Sequence, residues 1–153
     1  MASPWEVQEQ IIRQIAGWPD LAAGSPALGS WWGGFGDITL REFPYCEDWP
    51  ACHVNIMELI DEPGRPGFPL NGLRLQVGVY VSLQEPDLDA SNERLWKLVM
   101  AVRAAIASDR TLGGLLNEKL LMRSVRQVPS PLGTPIVGTR RIEFEAVIVE
   151  NLI

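Results

Sequence analysis

One stretch of unbroken alternation constrains the fold more than any other part of this sequence. Between positions 73 and 84, apolar residues take every second place. The apolar set is Leu73, Leu75, Val77, Val79, Val81 and Leu83. Because successive side chains of a strand point to opposite faces, this period of two predicts a half-buried β-strand. Pro86 has no N–H to donate to a neighbouring strand and is expected to end it.

An amphipathic helix is predicted directly after this strand, from about residue 88 to 108. Its apolar side chains recur at helical spacing, at Leu95, Leu98, Val99, Val102 and Ile106. Asp87 or Asp89 is expected to cap its start. Gly113 and Gly114 are expected to stop the chain after the helix, in the left-handed conformation. A strand followed by such a helix predicts the nucleus of a small α+β domain.

The rest of the pattern extends this nucleus to one domain over residues 1–153. A capping box of Ser3 and Glu6 predicts a helix that ends near Ala16. The apolar side of that helix is expected to be Trp5, Ile11, Ile12 and Ile15.

Three further strands are predicted at 51–60, 120–128 and 136–149. The strand at 51–60 should have four apolar side chains on one side, namely Cys52, Val54, Ile56 and Ile60. The turn dipeptide Asn71–Gly72 should make this strand the antiparallel neighbour of the strand at 73–84. The expected fold class is therefore α+β, with an antiparallel or mixed sheet of about four strands. An N-terminal helix and a long helix should pack on one face.

The segment from residue 17 to 50 interrupts this regularity. It holds six glycines, four prolines and four of the six tryptophans, so an extended loop is predicted, with a short edge strand at 38–43. Two interpretations remain open for Trp31, Trp32 and Phe35. They fold back onto the core, or they form an apolar arm that orders against a partner.

Charge and hydropathy exclude some functional classes. The 19 acidic residues outnumber the 13 basic ones, giving a formal charge of −6. That balance disfavours a protein that grips nucleic-acid phosphates through a basic patch. No apolar run approaches the ~20 residues that a membrane-spanning helix requires, and the first residues show no signal-peptide pattern, so we expect synthesis in the cytosol and no membrane partner.

Catalytic motifs are missing from the sequence. Cys46 and Cys52 precede the single histidine, His53, but this is not a usual zinc spacing. A metal site would also need Glu47 or Asp48 as its fourth ligand, and ordinary thiols are the favoured interpretation. We find no phosphate loop, dinucleotide fingerprint or nucleophile elbow. The sequence therefore predicts no catalytic, cofactor or metal site, and favours a structural or interaction protein.

Three stretches together resemble the tail terminator (tail completion) proteins of long-tailed bacteriophages. They are the strand at 73–82, the helix from Leu95 to Ile106, and the turn from Asp109 to Gly114. The resemblance implies a homohexameric ring that caps the head-proximal end of the tail tube, ends tube growth and joins the tail to the head connector or stopper protein. It implies no catalysis and no cofactor. The protein would be assembled in the host cytoplasm and reside in the virion tail, where DNA passes through an acidic lumen without specific binding.

Within that resemblance, three groups of residues are hypotheses for contacts. Subunit contacts are assigned to a second stripe on the long helix, Trp96, Met100 and Arg103, although this stripe could instead be covered by the glycine- and tryptophan-rich loop. Contacts with the tube or connector are assigned to Trp31, Trp32, Phe35 and Leu132. Charge at the lumen or rim is assigned to Glu85, Asp87, Asp89, Glu143 and Glu145.

Two other functions compete with this one. The first is another head–tail joining role, as a head-closure protein or a tube-type subunit. The second is a small ligand-binding or hydrolytic α+β domain, for which Cys46, Cys52 and His53 are the residues to test.

Overall fold

A five-stranded mixed sheet with two helices on one face is seen in a computed structural model of the protein, which describes residues 3–43, 48–62, 72–85, 87–116, 118–129 and 137–149. The helices are α1 (Pro4–Ala16) and α2 (Leu88–Ala107). The strands are β1 (Asp37–Thr39), β2 (Ala51–Glu62), β3 (Gly72–Gln84), β4 (Leu121–Val128) and β5 (Val137–Val149). Their spatial order is β1-β2-β3-β5-β4, with only β1 and β2 parallel. The predicted α+β class is confirmed.

The sheet has five strands rather than about four. The fifth is the short edge strand expected at 38–43, which is limited to Asp37–Thr39 and lies parallel to β2. Its three residues are all half-buried and carry no long alternating pattern, which is why the sequence indicated its place better than its length.

Strand β3 is the centre of the sheet, between β2 and β5. Its alternation is confirmed, because five of the six predicted inward residues are buried, namely Leu75, Val77, Val79, Val81 and Leu83. Burying each such side chain contributes about 1.5–3 kcal/mol to the stability of the folded state. The expected antiparallel pairing of β2 with β3 is also confirmed.

Helix α1 begins with the predicted capping box. The Ser3 hydroxyl accepts from the Glu6 N–H at 3.2 Å, and the Glu6 carboxylate accepts from the Ser3 N–H at 3.1 Å. The prediction that Trp5 lies on the buried side is wrong, since its side chain is 57% exposed. Ile11 and Ile15 are buried as predicted, and Val7, rather than Trp5, completes a stripe spaced four residues apart.

Helix α2 buries the predicted stripe of Leu95, Leu98, Val99, Val102 and Ile106. Its N-cap is Asp87, whose carboxylate accepts from the Asp89 N–H at 3.1 Å. Gly113 and Gly114 have the expected positive φ, but they do not stop the helix. Helix α2 ends at Ala107, and the glycines lie in the turns that follow.

The predicted facing of β2 is correct only for its first half. Cys52 and Val54 are buried, and Ile56 pairs with Val77. A β-bulge at Met57 then shifts the register, so that Ile60 pairs with Arg74. Because an extra residue reverses the alternation, the expectation that Ile60 shares a face with Val54 is wrong.

The tryptophan-rich segment is folded onto the core. The Trp32 side chain is 3% exposed, and its indole N–H lies 3.3 Å from the Leu21 carbonyl oxygen and 3.2 Å from that of Ala22. Trp31 and Phe35 are half-buried, and both make edge-to-face contacts with Trp32. Of the two interpretations left open by the sequence, folding back onto the core is confirmed, and the free apolar arm is wrong.

Candidate interaction surfaces

Apart from Trp5, the large apolar side chains that are exposed on α1 and α2 lie on the outer side of α2. Trp96 is 39% exposed and Met100 is 52% exposed. Ala104 continues the same line, since residues four apart stack on one side of a helix. We call Trp96, Met100 and Ala104 the α2 stripe. Because the core stripe of α2 already faces the sheet, the α2 stripe is additional apolar surface that the described part of the chain leaves accessible.

The tryptophan-rich segment forms one wall beside this stripe without covering it. Between them lies an open groove of about 540 Å³. Its lining residues are Asp20, Ala27, Leu28, Glu93, Trp96, Lys97, Met100, Ala101 and Ala104. Glu93 and Lys97 form an ion pair at 2.9 Å on the rim. The groove therefore has an apolar floor and a charged rim, a composition typical of protein–protein contacts.

Arg140 supports the other side of the stripe. It is 8% exposed, its guanidinium lies 5.2 Å from the centre of the Trp96 ring, and it donates to the Asn92 side-chain oxygen at 3.4 Å. Burial lowers the pKa of Arg140. Among the described residues, no carboxylate lies within 4.0 Å of this guanidinium, so its positive charge is balanced mainly by the indole face and neutral oxygens.

Arg140 was not among the predicted site residues, although its position in the sequence carries a signal. Arg140 precedes Ile142 by two residues and Phe144 by four, so all three side chains lie on the same, inward face of β5. An arginine at an inward position of a regular alternation indicates a cation on the buried face of the sheet.

The three predicted subunit-contact residues lie on neighbouring turns of one helix. Trp96 and Met100 belong to the α2 stripe, and Arg103 is half-buried beside it. Their assignment to a subunit interface remains a prediction. Of the predicted tube or connector contacts, Trp32 is buried, while Trp31 packs under the Arg94 guanidinium at 5.6 Å. Leu132 lies outside the described residues.

The five acids assigned to a lumen or rim occupy two separate places. Glu85, Asp87 and Asp89 lie at the connection from β3 to α2. Glu85 accepts from the Asp87 N–H at 3.0 Å and from Arg94. The Asp87 N–H, followed by Arg94, lowers the pKa of Glu85. This group serves the start of α2, because Asp87 is the N-cap.

Glu143 and Glu145 lie instead on the outer face of the sheet, which is the face turned away from the helices. Glu145 accepts from Arg123 at 2.9 Å and from Gln76 at 2.8 Å, and these two bonds lower its pKa. Glu143 accepts from Arg141 at 2.7 Å. Since each glutamate is paired with an arginine, this face is a charge-compensated ladder rather than a purely acidic surface.

Of the three residues suggested for a hydrolytic site, the two that the structure describes, Cys52 and His53, do not come together. Cys52 and His53 are consecutive residues of β2, so their side chains point to opposite faces of the sheet. Both are fully buried, and burial raises the pKa of the Cys52 thiol to about 12. Cys46 lies outside the described residues. A thiol with that pKa supplies almost no thiolate near neutral pH, so Cys52 is not an activated nucleophile.

The described residues contain neither a metal site nor a membrane-spanning helix. No group of three or more potential ligand side chains that could hold a metal ion occurs among them. Within the same residues, no helix combines the length and the apolar character needed to cross a membrane.

Comparisons with known proteins give a likeness in fold. A scan against protein families finds no match. A search of the curated proteins finds no similar sequence. Among solved structures, the fold is similar to that of a chain in the virion of a native gene transfer agent particle. The similarity has a TM-score of 0.55 and covers 94% of each chain at 12% sequence identity. At this identity the likeness concerns the fold, and this chain therefore shares its fold, along almost its whole length, with a component of a virion.

Proposed function

We propose that this protein is a structural component of a phage-like virion, and that it acts as the tail terminator. In this role it forms a homohexameric ring on the head-proximal end of the tail tube, ends tube growth and joins the tail to the head connector or stopper protein. The observation that carries the proposal is the shared fold with a virion chain over 94% of both chains. The resemblance of residues 73–114 to tail terminators supplies the finer assignment.

The exposed surface supports a role in assembly. A chain that builds a ring needs apolar surface left over after its own core is complete. The α2 stripe and its groove provide such surface, with Trp96 supported from beneath by Arg140. Aromatic and methionine side chains at the centre of a patch, with charges around them, are typical of interface cores. We therefore place a subunit contact on the α2 stripe and Arg103.

DNA passage requires a lumen that does not grip phosphates. The net charge of −6 is suited to this, because the molecule as a whole repels a polyanion. Around Glu143 and Glu145 three arginines face two glutamates, so this part of the outer face has one positive charge in excess. The acidic connection that contains Glu85, Asp87 and Asp89 is therefore better suited to a lumen or rim surface.

The first experiment is the solution mass of the purified protein, with negative-stain images of the same fraction. Rings of six 17.0 kDa subunits, about 100 kDa, with a central hole are the expected result. Mixing the protein with tail-tube subunits then separates the roles. A terminator limits tube length, a tube-type subunit extends the tube, and a head-closure protein does neither. Unchanged tube length would contradict the terminator role.

The double variant Trp96→Glu/Met100→Glu tests the interface. We expect a folded protein that no longer assembles, because two carboxylates replace the apolar centre of the contact while the core of α2 is unchanged. Trp5→Glu is the matched control, since Trp5 is exposed to a similar extent on another helix and should leave assembly intact. An assembly that survives the double variant would remove the α2 stripe from the interface.

A further inference from the structure

Both edges of the sheet have backbone groups without a strand partner among the described residues. Strand β4 is the outermost strand on one side. On the other side, β1 pairs only with Ala51–His53 of β2. From Ile56 to Glu62, the outer edge of β2 therefore has no strand partner among the described residues. An open edge presents a row of N–H and C=O groups that can pair with another chain.

The two open edges carry opposite charges. Strand β4 contains Arg123 and Arg126 and no acidic residue, and the side chains of these arginines are 50% and 65% exposed. The stretch of β2 from residue 56 to 62 contains Glu58, Asp61 and Glu62 and no basic residue. The two glutamates of β5 that pair with these arginines are shared with Arg141, so one positive charge remains in excess beside β4. The β4 edge therefore favours the acidic β2 edge over a copy of itself.

Exposed apolar side chains accompany these charges. Met57 and Leu59 on β2 are 39% and 45% exposed, and Leu121 at the start of β4 is 51% exposed. Three of the six large hydrophobic residues that are most exposed in the described part of the chain thus lie on the two edge strands. Their burial in a contact would add a favourable hydrophobic contribution to the electrostatic one.

Strand direction allows the two edges to meet between identical copies. β2 is antiparallel to β3, β3 to β5, and β5 to β4, so β4 runs opposite to β2. When one copy is rotated about an axis along the strands, its β2 therefore approaches β4 of its neighbour in antiparallel orientation. Contacts between two different patches repeat from copy to copy and close into a ring when the rotation permits.

We propose that copies of this chain associate head to tail, with β4 of one copy paired to the stretch from Ile56 to Glu62 of β2 in the next. The result is a sheet that continues from subunit to subunit. Arg123 and Arg126 lie on the same outer face as Glu58 and provide the ionic part of the contact. This inference rests on the proposed ring and specifies which edges build it.

A different explanation of the same features is protection of the edges against pairing. Bulges and charged residues are common devices for that purpose, and β2 and β4 each contain a bulge. Protection alone, however, needs no difference in charge sign between the two edges. Opposite signs that are unmixed on each edge favour a specific partner, which is the other edge.

Charge reversal tests the contact. The variant Glu58→Lys should weaken self-association at least about tenfold, measured by sedimentation, because like charges then face each other. Arg123→Glu/Arg126→Glu should do the same, and the three substitutions together should restore association. Glu9→Lys makes the same change in net charge as Glu58→Lys on helix α1 and should leave association unchanged.

If the β4 variant folds poorly, the β2 variant alone tests whether the two edges pair. Arg123 and Arg126 also pair with Glu145 and Glu143 inside the chain, whereas Glu58 forms no ion pair with a described residue. Circular dichroism of each variant separates loss of folding from loss of association. Arg123→Lys/Arg126→Lys keeps the charge and should keep the association.

The outcomes separate this inference from the proposed function. If rings form and neither charge-reversal variant weakens their association, the edge pairing is overturned and the ring role stays intact. Weakening by each reversal without recovery in the combined variant would also overturn it. A protein that stays at 17.0 kDa up to millimolar concentration would overturn edge pairing of the free protein, and tube length in the mixing experiment would still decide the terminator role.

Discussion

At the scale of single residues, Asp109 organises the turn after α2. One carboxylate oxygen accepts from the Thr111 N–H at 3.1 Å and from the Thr111 hydroxyl at 2.9 Å, and the other accepts from the Gly113 N–H at 2.9 Å. Gln14 of α1 donates to the last carbonyls of α2, including that of Ile106 at 3.1 Å. The turn that carries part of the likeness to tail terminators is therefore a structural feature that joins the two helices.

Replacing Asp109 by Ala should lower the free energy of unfolding by about 1 kcal/mol, as the loss of a helix cap does. The hydrogen bonds from the Thr111 hydroxyl and the Gly113 N–H lower the pKa of Asp109. A lowered folded-state pKa means that this stabilisation is present above the unfolded value of about 4 and is lost as the pH falls through the folded value.

Urea unfolding of the wild type and Asp109→Ala between pH 3 and 7 measures this effect. The difference in the free energy of unfolding between the two proteins should be constant near pH 7 and should shrink as the pH falls towards 3. Glu118→Ala, which removes an exposed carboxylate, is the control. A difference that is independent of pH would contradict the role of the ionised carboxylate.

Cys52 provides a second prediction at this scale. Its buried thiol, with a pKa of about 12, should not react with iodoacetamide at pH 8 in the folded protein. Mass spectrometry of a Cys46→Ser variant isolates Cys52, and urea should make it reactive. Rapid stoichiometric labelling of the native protein would revive the hydrolytic alternative.

At the scale of elements, the tryptophan-rich segment behaves as part of the core. Leu21, Leu28 and Trp32 are buried, and the wall that this segment forms beside the α2 stripe creates the groove. Gly29 and Gly34 have φ of 116° and 98°, which allow the chain to double back at these points. The segment therefore shapes the candidate interface even though Trp32 itself is inaccessible.

Trp32→Ala should destabilise the protein by about 3–5 kcal/mol, since it removes a buried indole and leaves a cavity. Trp5→Ala makes the same chemical change at a site that is 57% exposed, and should cost less than about 1 kcal/mol. Thermal and urea unfolding compare the two variants. Equal small effects would indicate that the segment is detached from the core in solution.

At the scale of the whole molecule, one hydrophobic core joins both helices and all the long strands. It runs from Val7 of α1, through Val79 of β3 and Val102 of α2, to Phe144 of β5. We expect a single cooperative unfolding transition, in which tryptophan fluorescence and far-ultraviolet circular dichroism coincide at every urea concentration. Separate transitions for the two probes would contradict a single domain.

The sequence by itself determined the elements whose evidence is local. The alternation of β3 and the stripe of α2 arise from periods of 2 and 3.6 residues, and the caps at Ser3 and Asp87 depend on neighbours within three residues. These features predicted the α+β class correctly. They also placed Trp96 and Met100 on a side of α2 distinct from its core stripe.

Only the tertiary structure decided the features that depend on distant residues. The bulge at Met57 is defined by the register of β2 against β3. The indole of Trp32 is held in the core by the carbonyl groups of Leu21 and Ala22. The guanidinium of Arg140 is positioned against the ring of Trp96. The open edges likewise follow from strand order. A periodic pattern indicates which face of an element is apolar, but the partner of that face and the end of the sheet are set by packing across the whole chain.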